Sequence, residues 1–399
     1  MLISISKLSA RIGKDLTLIQ GGGGNTSIKI KNRMWVKASG KWLSDAEKED
    51  IFVSVDDAAI RKAIDASEDD PVTQYIDKNQ TLRPSIETTL HALLDHRVVL
   101  HVHSVNALSR VVRRDGQALV SSLLEGLRWS WIVYKRPGLP LTRATQAAIV
   151  DKPDVLVLQN HGLVVGGENV QAAEALLRKV EERLVTIPRH LVSADKSKLT
   201  PFLGAGTFRL PRHDSIHALA TDEVCLSAAK GGVPYPDHVV FLAPEPCVVS
   251  SYEHYQREFD QNPKVVLVEG VGVVVRQDIS FAAEEMLLCQ AETFLRVPEG
   301  VEIDFLSEGD VAELLDWDAE KYKENILSFS VELARDQHHK KGEVFTVGAQ
   351  VSLPQKQSII IKETHQDAHA AVDAVQDKLI RQLVKHKDKN QGLIRKSAQ

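Results

Sequence analysis

The chain has 399 residues, 43% hydrophobic and 26% charged, with 49 Lys+Arg against 54 Asp+Glu and a formal net charge of -5. That length suits roughly two or three domains of an ordinary soluble globular protein, and the charge gives no reason to expect nucleic acid as the main partner. No apolar run approaches the roughly 20 residues that span a bilayer, and three scattered cysteines (225, 247 and 289) provide neither a disulfide framework nor a thiolate metal site.

The N-terminal stretch MLISISKLSARIGKD has no signal-peptide core, which sets the expectation of a cytoplasmic protein without a membrane partner. Residues 4–18 read as a helix that stops at Gly21-Gly22-Gly23-Gly24. Two short strands follow, Ser27–Ile30 and Met34–Ala38, around the turn Lys31-Asn32-Arg33. Asp56–Ala66 reads as a helix, and a second helix is expected from Pro84 to about His96, with proline in the first turn. Val98–His103 is β-branched and alternating, hence a strand; Val155–Leu158 and Leu163–Val165 are buried strands, and Val170–Thr186 a long amphipathic helix. Such mixing argues for an α/β or α+β domain of about 200 residues.

Asp154–Val185 aligns without gaps on Lys264–Leu295, setting Val155 on Val265, Gly162 on Gly272 and Ala172-Ala173-Glu174 on Ala282-Ala283-Glu284. A weaker echo sets Val98-Val99-Leu100 on Val239-Val240-Phe241. Duplication is the preferred reading, which divides the chain into residues 1–195, a degenerate copy at 200–300, and a helical C-terminal extension at 301–399. From Lys356 onward nine Lys/Arg face five Asp/Glu, a basic solvated tail in which Ala368–Val384 has helical periodicity.

The chemistry-bearing residues begin with Leu100-His101-Val102-His103. Alternation along a strand puts both imidazoles on one face, about 6–7 Å apart at their Cα atoms, where they can converge on one metal ion. His161, in Gln159-Asn160-His161-Gly162, sits where one buried strand turns into the next and can point over the end of the sheet. Glu87 follows Pro84-Ser85-Ile86 near a helix start, a place suited to capping or to a carboxylate beside the metal. His91 and His96 read as structural, since neither shares the face of His101 and His103. Two polar glycine turns, Gly23-Gly24-Asn25-Thr26-Ser27 and Lys37-Ala38-Ser39-Gly40-Lys41, together with Ser85, suit an anionic oxygen cluster, although neither is a Walker loop or a dinucleotide fingerprint.

The ordered set Gly-Asn-Thr-Ser, Ala-Ser-Gly, Ser-x-Glu, His-x-His and Asn-His-Gly resembles the class II aldolase/adducin family of zinc-dependent sugar-phosphate aldolases and 4-epimerases over about residues 5–190. The wording KASGKWL, RPSIETTLH and YKRPGLPL is most similar to the aldolase part of bifunctional rhamnulose-phosphate aldolase/alcohol dehydrogenases; no dinucleotide fingerprint follows residue 300. The resemblance implies a three-layer α/β/α domain with a mostly antiparallel central sheet. It also implies His101, His103 and His161 as ligands of Zn2+ or another divalent ion, Glu87 as acid/base, and Asn25, Ser39, Gly40 and Ser85 as phosphate- or hydroxyl-binding residues.

The implied activity is that of a lyase making or cleaving a C–C bond in a small ketose or ketose phosphate through a metal-stabilised enediolate, in a homo-oligomer. Epimerisation, decarboxylation and dehydration share the same metal platform; an adducin-like interaction module keeps the fold without the chemistry. Ile86 stands where the family has a second serine, with Lys37, Lys41 or Arg83 as substitute anion partners. Tyr134 is the nearest candidate for the family's proton-donor tyrosine. In the degenerate copy Val271 replaces His161, and the echo of the other two histidines falls on Leu242 and Pro244, so that copy reads as structural.

Overall fold

In the computed structural model the β-branched and alternating segments do pair. The structure describes residues 2–204, 206–242, 244–258, 263–323, 328–335, 345–353 and 357–367, with residues 370, 372, 374, 375, 378 and 379 beyond them. Residues 1–315 form one compact unit and 316–399 another. The expected divisions near 200 and 300 therefore both fall inside the first unit.

The first unit has a seven-stranded sheet made of β1 (Asn25–Ile30), β2 (Arg33–Lys37), β3 (Phe52–Val55), β4 (Val98–Val102), β5 (Trp129–Ile132), β6 (Val155–Leu158) and β7 (Gly162–Gly167). Their order is β3-β2-β1-β4-β7-β6-β5. All neighbours are antiparallel except β5 and β6. This is the mostly antiparallel central sheet of an α/β domain that the resemblance implies. Every residue of β4, β6 and β7 is buried, which is why these segments are nearly all apolar.

The helix Val170–Leu184 buries Ala173, Leu177, Val180 and Leu184 along one stripe. The Asn169 side chain accepts from Ala172 N at 2.9 Å and starts that helix, a cap whose loss costs about 1 kcal/mol. The first helix, Leu2–Gly13, ends sooner than expected because a Cβ at Gly13 would lie 2.4 Å from Ser44 N, so the chain packs backbone to backbone there.

A second difference matters for the site. The helix expected from Pro84 begins only at Thr88 and ends at Leu93. Residues 83–85 instead run beside the end of β2: Ala38 bridges Pro84, Ser39 N donates to Arg83 O at 2.8 Å and Ser85 N to Lys37 O at 3.0 Å. Proline at 84 disfavours helical geometry in the residue before it, which suits this extended course.

A four-stranded sheet follows, with β8 (Phe208–Arg209), β9 (Cys247–Val249), β10 (Val265–Val268) and β11 (Gly272–Arg276) in the order β8-β11-β10-β9. Its senses match those of β4-β7-β6-β5: the last pair is parallel and the others antiparallel. Gly162 and Gly272, aligned by sequence, share φ 152°. The weaker echo is corrected: Val239-Val240-Phe241 lies in the helix Pro236–Phe241, and β8 occupies the place of β4. Two adjacent valines and an aromatic fit either element, and Pro236 at the first helical positions decides for the helix.

The C-terminal region is also corrected. It begins with a helix, Glu308–Lys323, but its centre is an antiparallel sheet of β12 (Ser328–Arg335), β13 (Phe345–Leu353) and β14 (Gln357–His365). Val347, Ala349, Ile359 and Ile361 alternate onto a buried face with Val375, the period-two pattern of a half-buried sheet. The described residues among 370–379 are helical, in keeping with the expected helix, while the rest of the basic tail lies outside the described residues. Among the described residues no helix is long and apolar enough to cross a membrane.

Candidate metal centre

Three elements deliver the imidazoles. β4 carries His101, the chain just beyond its end carries His103, and the β6–β7 turn carries His161. Asn160 takes left-handed backbone geometry in that turn (φ 51°), which asparagine tolerates better than most residues. The ring centroids of His101 lie 4.8 Å from His103 and 5.0 Å from His161, and the last two are 5.4 Å apart. One ligand atom from each lies within 4.8 Å of the other two, and all three side chains are buried.

The hydrogen bonds on the far side of each ring decide what faces inward. His101 Nδ1 lies 3.1 Å from Leu163 O, an atom that can only accept, so the proton is on Nδ1 and the Nε2 lone pair points at the cluster. His103 Nδ1 lies 3.0 Å from Asp237 Oδ2, with the same consequence. The two Nε2 atoms then face each other at 3.0 Å. Two lone pairs at that distance repel unless a proton or a cation lies between them. A tetrahedral site with Zn–N bonds near 2.0–2.1 Å has ligand–ligand edges of roughly 3.3 Å, so the donor set fits such an ion.

Glu87 completes the cluster. Its Oε2 lies 3.3 Å from His101 Nε2 and its Oε1 3.3 Å from His161 Nε2. The side chain is buried, and Oε1 has no hydrogen-bond donor among the described residues, which leaves a lone pair for a cation. Burial pushes the carboxyl up, but the surrounding imidazoles of His101, His161 and His103 outweigh it and hold Glu87 below the usual carboxylate range. Burial lowers His161 to about 3 and also lowers His101, keeping both neutral and able to ligate. At His103 burial acts downward too, yet the charge and hydrogen bond of Asp237 win and raise it.

The remaining expected residues gather around this centre. Asn25 pairs with His101 in the β1–β4 register, and its Nδ2 donates to Glu87 Oε2 at 2.6 Å. Ser85 Oγ accepts from Glu87 N at 3.2 Å. Ser39 and Gly40 are exposed on the strip that pairs with residues 83–85; Gly40 (φ 75°) has open space where a Cβ would stand. Lys37 is buried, with Nζ 2.5 Å from Gly22 O and 2.8 Å from Lys41 O, and burial lowers it to about 8. Lys41 pairs with Glu49 at 2.6 Å, and Arg83 is exposed.

His91 and His96 are engaged elsewhere, with Ser27 Oγ at 2.8 Å and Asp154 Oδ1 at 2.9 Å. Tyr134 packs against an apolar cluster with Val233, Val239, Leu306 and Leu314. Asp237 escaped sequence reasoning, and Asn160, quoted there without a role, donates its Nδ2 to Pro234 O at 2.8 Å and to Asp304 O at 2.6 Å. The Asn-His-Gly motif flagged Asn160, but nothing local to residue 237 pointed toward the histidines.

With that geometry in place, comparison with known proteins bears on the N-terminal stretch that carries the site. Residues 5–186 match the family model described as Class II Aldolase and Adducin N-terminal domain. This stretch is a class II aldolase/adducin domain. Residues 311–391 match the family described as Sigma 54 modulation protein / S30EA ribosomal protein.

Among curated proteins, the "Uncharacterized oxidoreductase YuxG" of Bacillus subtilis (strain 168) is 23% identical over 345 residues, covering 66% of this chain and 49% of that protein. The chain thus spans about half the length of the curated relative it matches. Solved structures similar to it include the N-terminal class II aldolase domain of a conserved Thermoplasma acidophilum protein (25% identity, 45% of this chain and 90% of that chain, TM-score 0.41). A sugar-phosphate aldolase from Thermotoga maritima (14%, 46% and 94%, TM-score 0.35) is another. A third is the l-fuculose-1-phosphate aldolase from Thermus thermophilus (17%, 46% and 93%, TM-score 0.32).

Proposed function

We propose that the class II aldolase/adducin domain is a divalent-metal-dependent lyase, an aldolase acting on a small ketose or ketose phosphate. The observation that carries this reading is the 3.0 Å approach of His101 Nε2 to His103 Nε2, with His161 and the buried Glu87 carboxylate alongside. Three imidazoles, with His103 giving up its extra proton as an ion binds, and a carboxylate form a donor set that suits zinc. When bound, a divalent ion would supply Lewis-acid stabilisation of the negative charge that C–C cleavage leaves on the ketone and neighbouring hydroxyl oxygens.

The chain's own residues do the rest. Glu87, ionised and held by Asn25 Nδ2, would accept the proton from the substrate hydroxyl and return it to carbon. Ser39, Gly40 and Ser85 would bind the substrate's anionic or hydroxyl end, with the buried Lys37 cation answering for the serine that Ile86 replaces. The second sheet reads as a degenerate structural copy, since Val271 stands where the first sheet has His161 and an aliphatic side chain cannot ligate. Epimerisation, decarboxylation and dehydration would use the same centre. A screen of dihydroxyacetone, free and phosphorylated, with short aldehydes tests the aldolase reading: C–C bond formation supports it, and epimerisation or CO2 release without it assigns the alternative.

For residues 311–391 the matched family's description points to ribosome association as a second role, a departure from the expectation of no nucleic-acid partner. Co-sedimentation of the full chain with ribosomes tests it.

A further inference from the structure

We propose that Asp237, supplied from outside the stretch that matches the family, is a positioning residue that fixes His103 as a metal ligand. This inference rests on the metal site proposed above and concerns what holds that site in shape.

Asp237 enters from a distant part of the chain. It is the second residue of the helix Pro236–Phe241, and its Oδ2 lies 3.0 Å from His103 Nδ1. The two nitrogens of an imidazole point away from each other, so a carboxylate on Nδ1 cannot also reach an ion at Nε2. What it does is fix the tautomer and the ring's rotation and make Nε2 a stronger donor. The three rings are not equal in this respect. His101 Nδ1 has a backbone carbonyl, Leu163 O, and His161 Nδ1 has no hydrogen-bond partner among the described residues. His103 alone of the three has an anionic partner on its outer nitrogen among the described residues.

Two further features show that this contact is built in. The segment before the helix is tied to the turn that carries His161, because Asn160 Nδ2 donates to Pro234 O at 2.8 Å. The turn that aims one ligand therefore also anchors the segment that orients another. On the opposite side, Gly23 closes over the contact: a Cβ there would lie 2.9 Å from His103 Nδ1 and 3.1 Å from Asp237 Oδ2. Gly23 does not have the positive φ that would demand glycine, so the requirement is for space, both beside the pair and beside Gln20 O, which would lie 3.0 Å from the same Cβ. An alanine would have to push the imidazole or the carboxylate aside.

Cobalt and zinc titrations of the full chain in competition with a chelator test the proposal, alongside the cobalt absorption spectrum and a thermal melt for folding. Asp237→Ala should weaken metal affinity about 10- to 100-fold, the usual cost of removing an outer partner of a ligating histidine. Asp237→Asn should lose affinity while keeping shape. Asp237→Glu should restore part of the loss, and Gly23→Ala should weaken binding and alter the cobalt spectrum with Asp237 still present. If Asp237→Ala does not fold, the Asn and Gly23 variants carry the test. Wild-type affinity and an unchanged spectrum in the folded variants would overturn the inference while leaving the metal site intact. A wild-type chain that binds no ion overturns the metal reading, and this inference with it.

Discussion

Asn25 Nδ2 donates a 2.6 Å hydrogen bond to Glu87 Oε2, joining the start of β1 to the carboxylate that lies between His101 and His161. The register that sets Asn25 opposite His101 makes this bond a consequence of sheet pairing rather than of the loop around Glu87. Replacing Asn25 by Leu removes the donor and leaves the carboxylate free to turn. A bond to a charged acceptor is worth about 1.5–3 kcal/mol, so kcat should fall about 10- to 100-fold with metal content unchanged. Steady-state kinetics beside metal analysis checks this, and an unaltered kcat would remove Asn25 from the machinery.

Glu87→Gln keeps the size of the side chain and removes its ability to take a proton. Turnover should drop by at least about 100-fold, the lower range of general acid–base contributions, while His101, His103 and His161 still retain the ion. Unchanged turnover would take Glu87 out of the proposed mechanism.

Lys37 is charged below about pH 8 because burial lowers it from 10.5. As pH rises through 8 the cation is lost, and KM for a phosphorylated substrate should rise while KM for its unphosphorylated counterpart stays level. Lys37→Met should show the high KM already at pH 7. KM–pH profiles for the two substrates decide whether Lys37 is the anion partner.

His91 gives a stability prediction independent of catalysis. It is buried, bonded to Ser27 Oγ, and lowered by burial from 6.5 to about 3. The unfolded chain takes up this proton below pH 6.5 and the folded chain does not. Stability is therefore full above 6.5 and is lost as pH falls toward 3, by up to about 1.4 kcal/mol per pH unit from this residue. Urea midpoints between pH 7 and 4 should fall less steeply in His91→Gln than in the wild type.

Local patterns carried much of this architecture. The alternation of Val98–His103 and the apolar runs at 155–158 and 163–165 announced β4, β6 and β7, because buried strands leave little freedom in composition. Aligning Asp154–Val185 with Lys264–Leu295 located β10, β11 and the helix Phe281–Leu295. What escaped depends on distant pairing. Ala38–Pro84 bridging displaced a helix start, and β12–β14 pair in a stretch expected to be helical, with only β14 inside the basic tail that begins at Lys356. Asp237 meets His103 only through the packing of a far segment, for which no local pattern exists.

The central claim is that His101, His103 and His161 hold one divalent ion, and metal analysis of the purified chain against His161→Ala tests it most directly. The account predicts about one ion per wild-type chain, removable by a strong chelator, and a large loss of that ion in a His161→Ala variant that still folds. A metal-free wild type after divalent ions have been supplied, or full occupancy in His161→Ala, would contradict it.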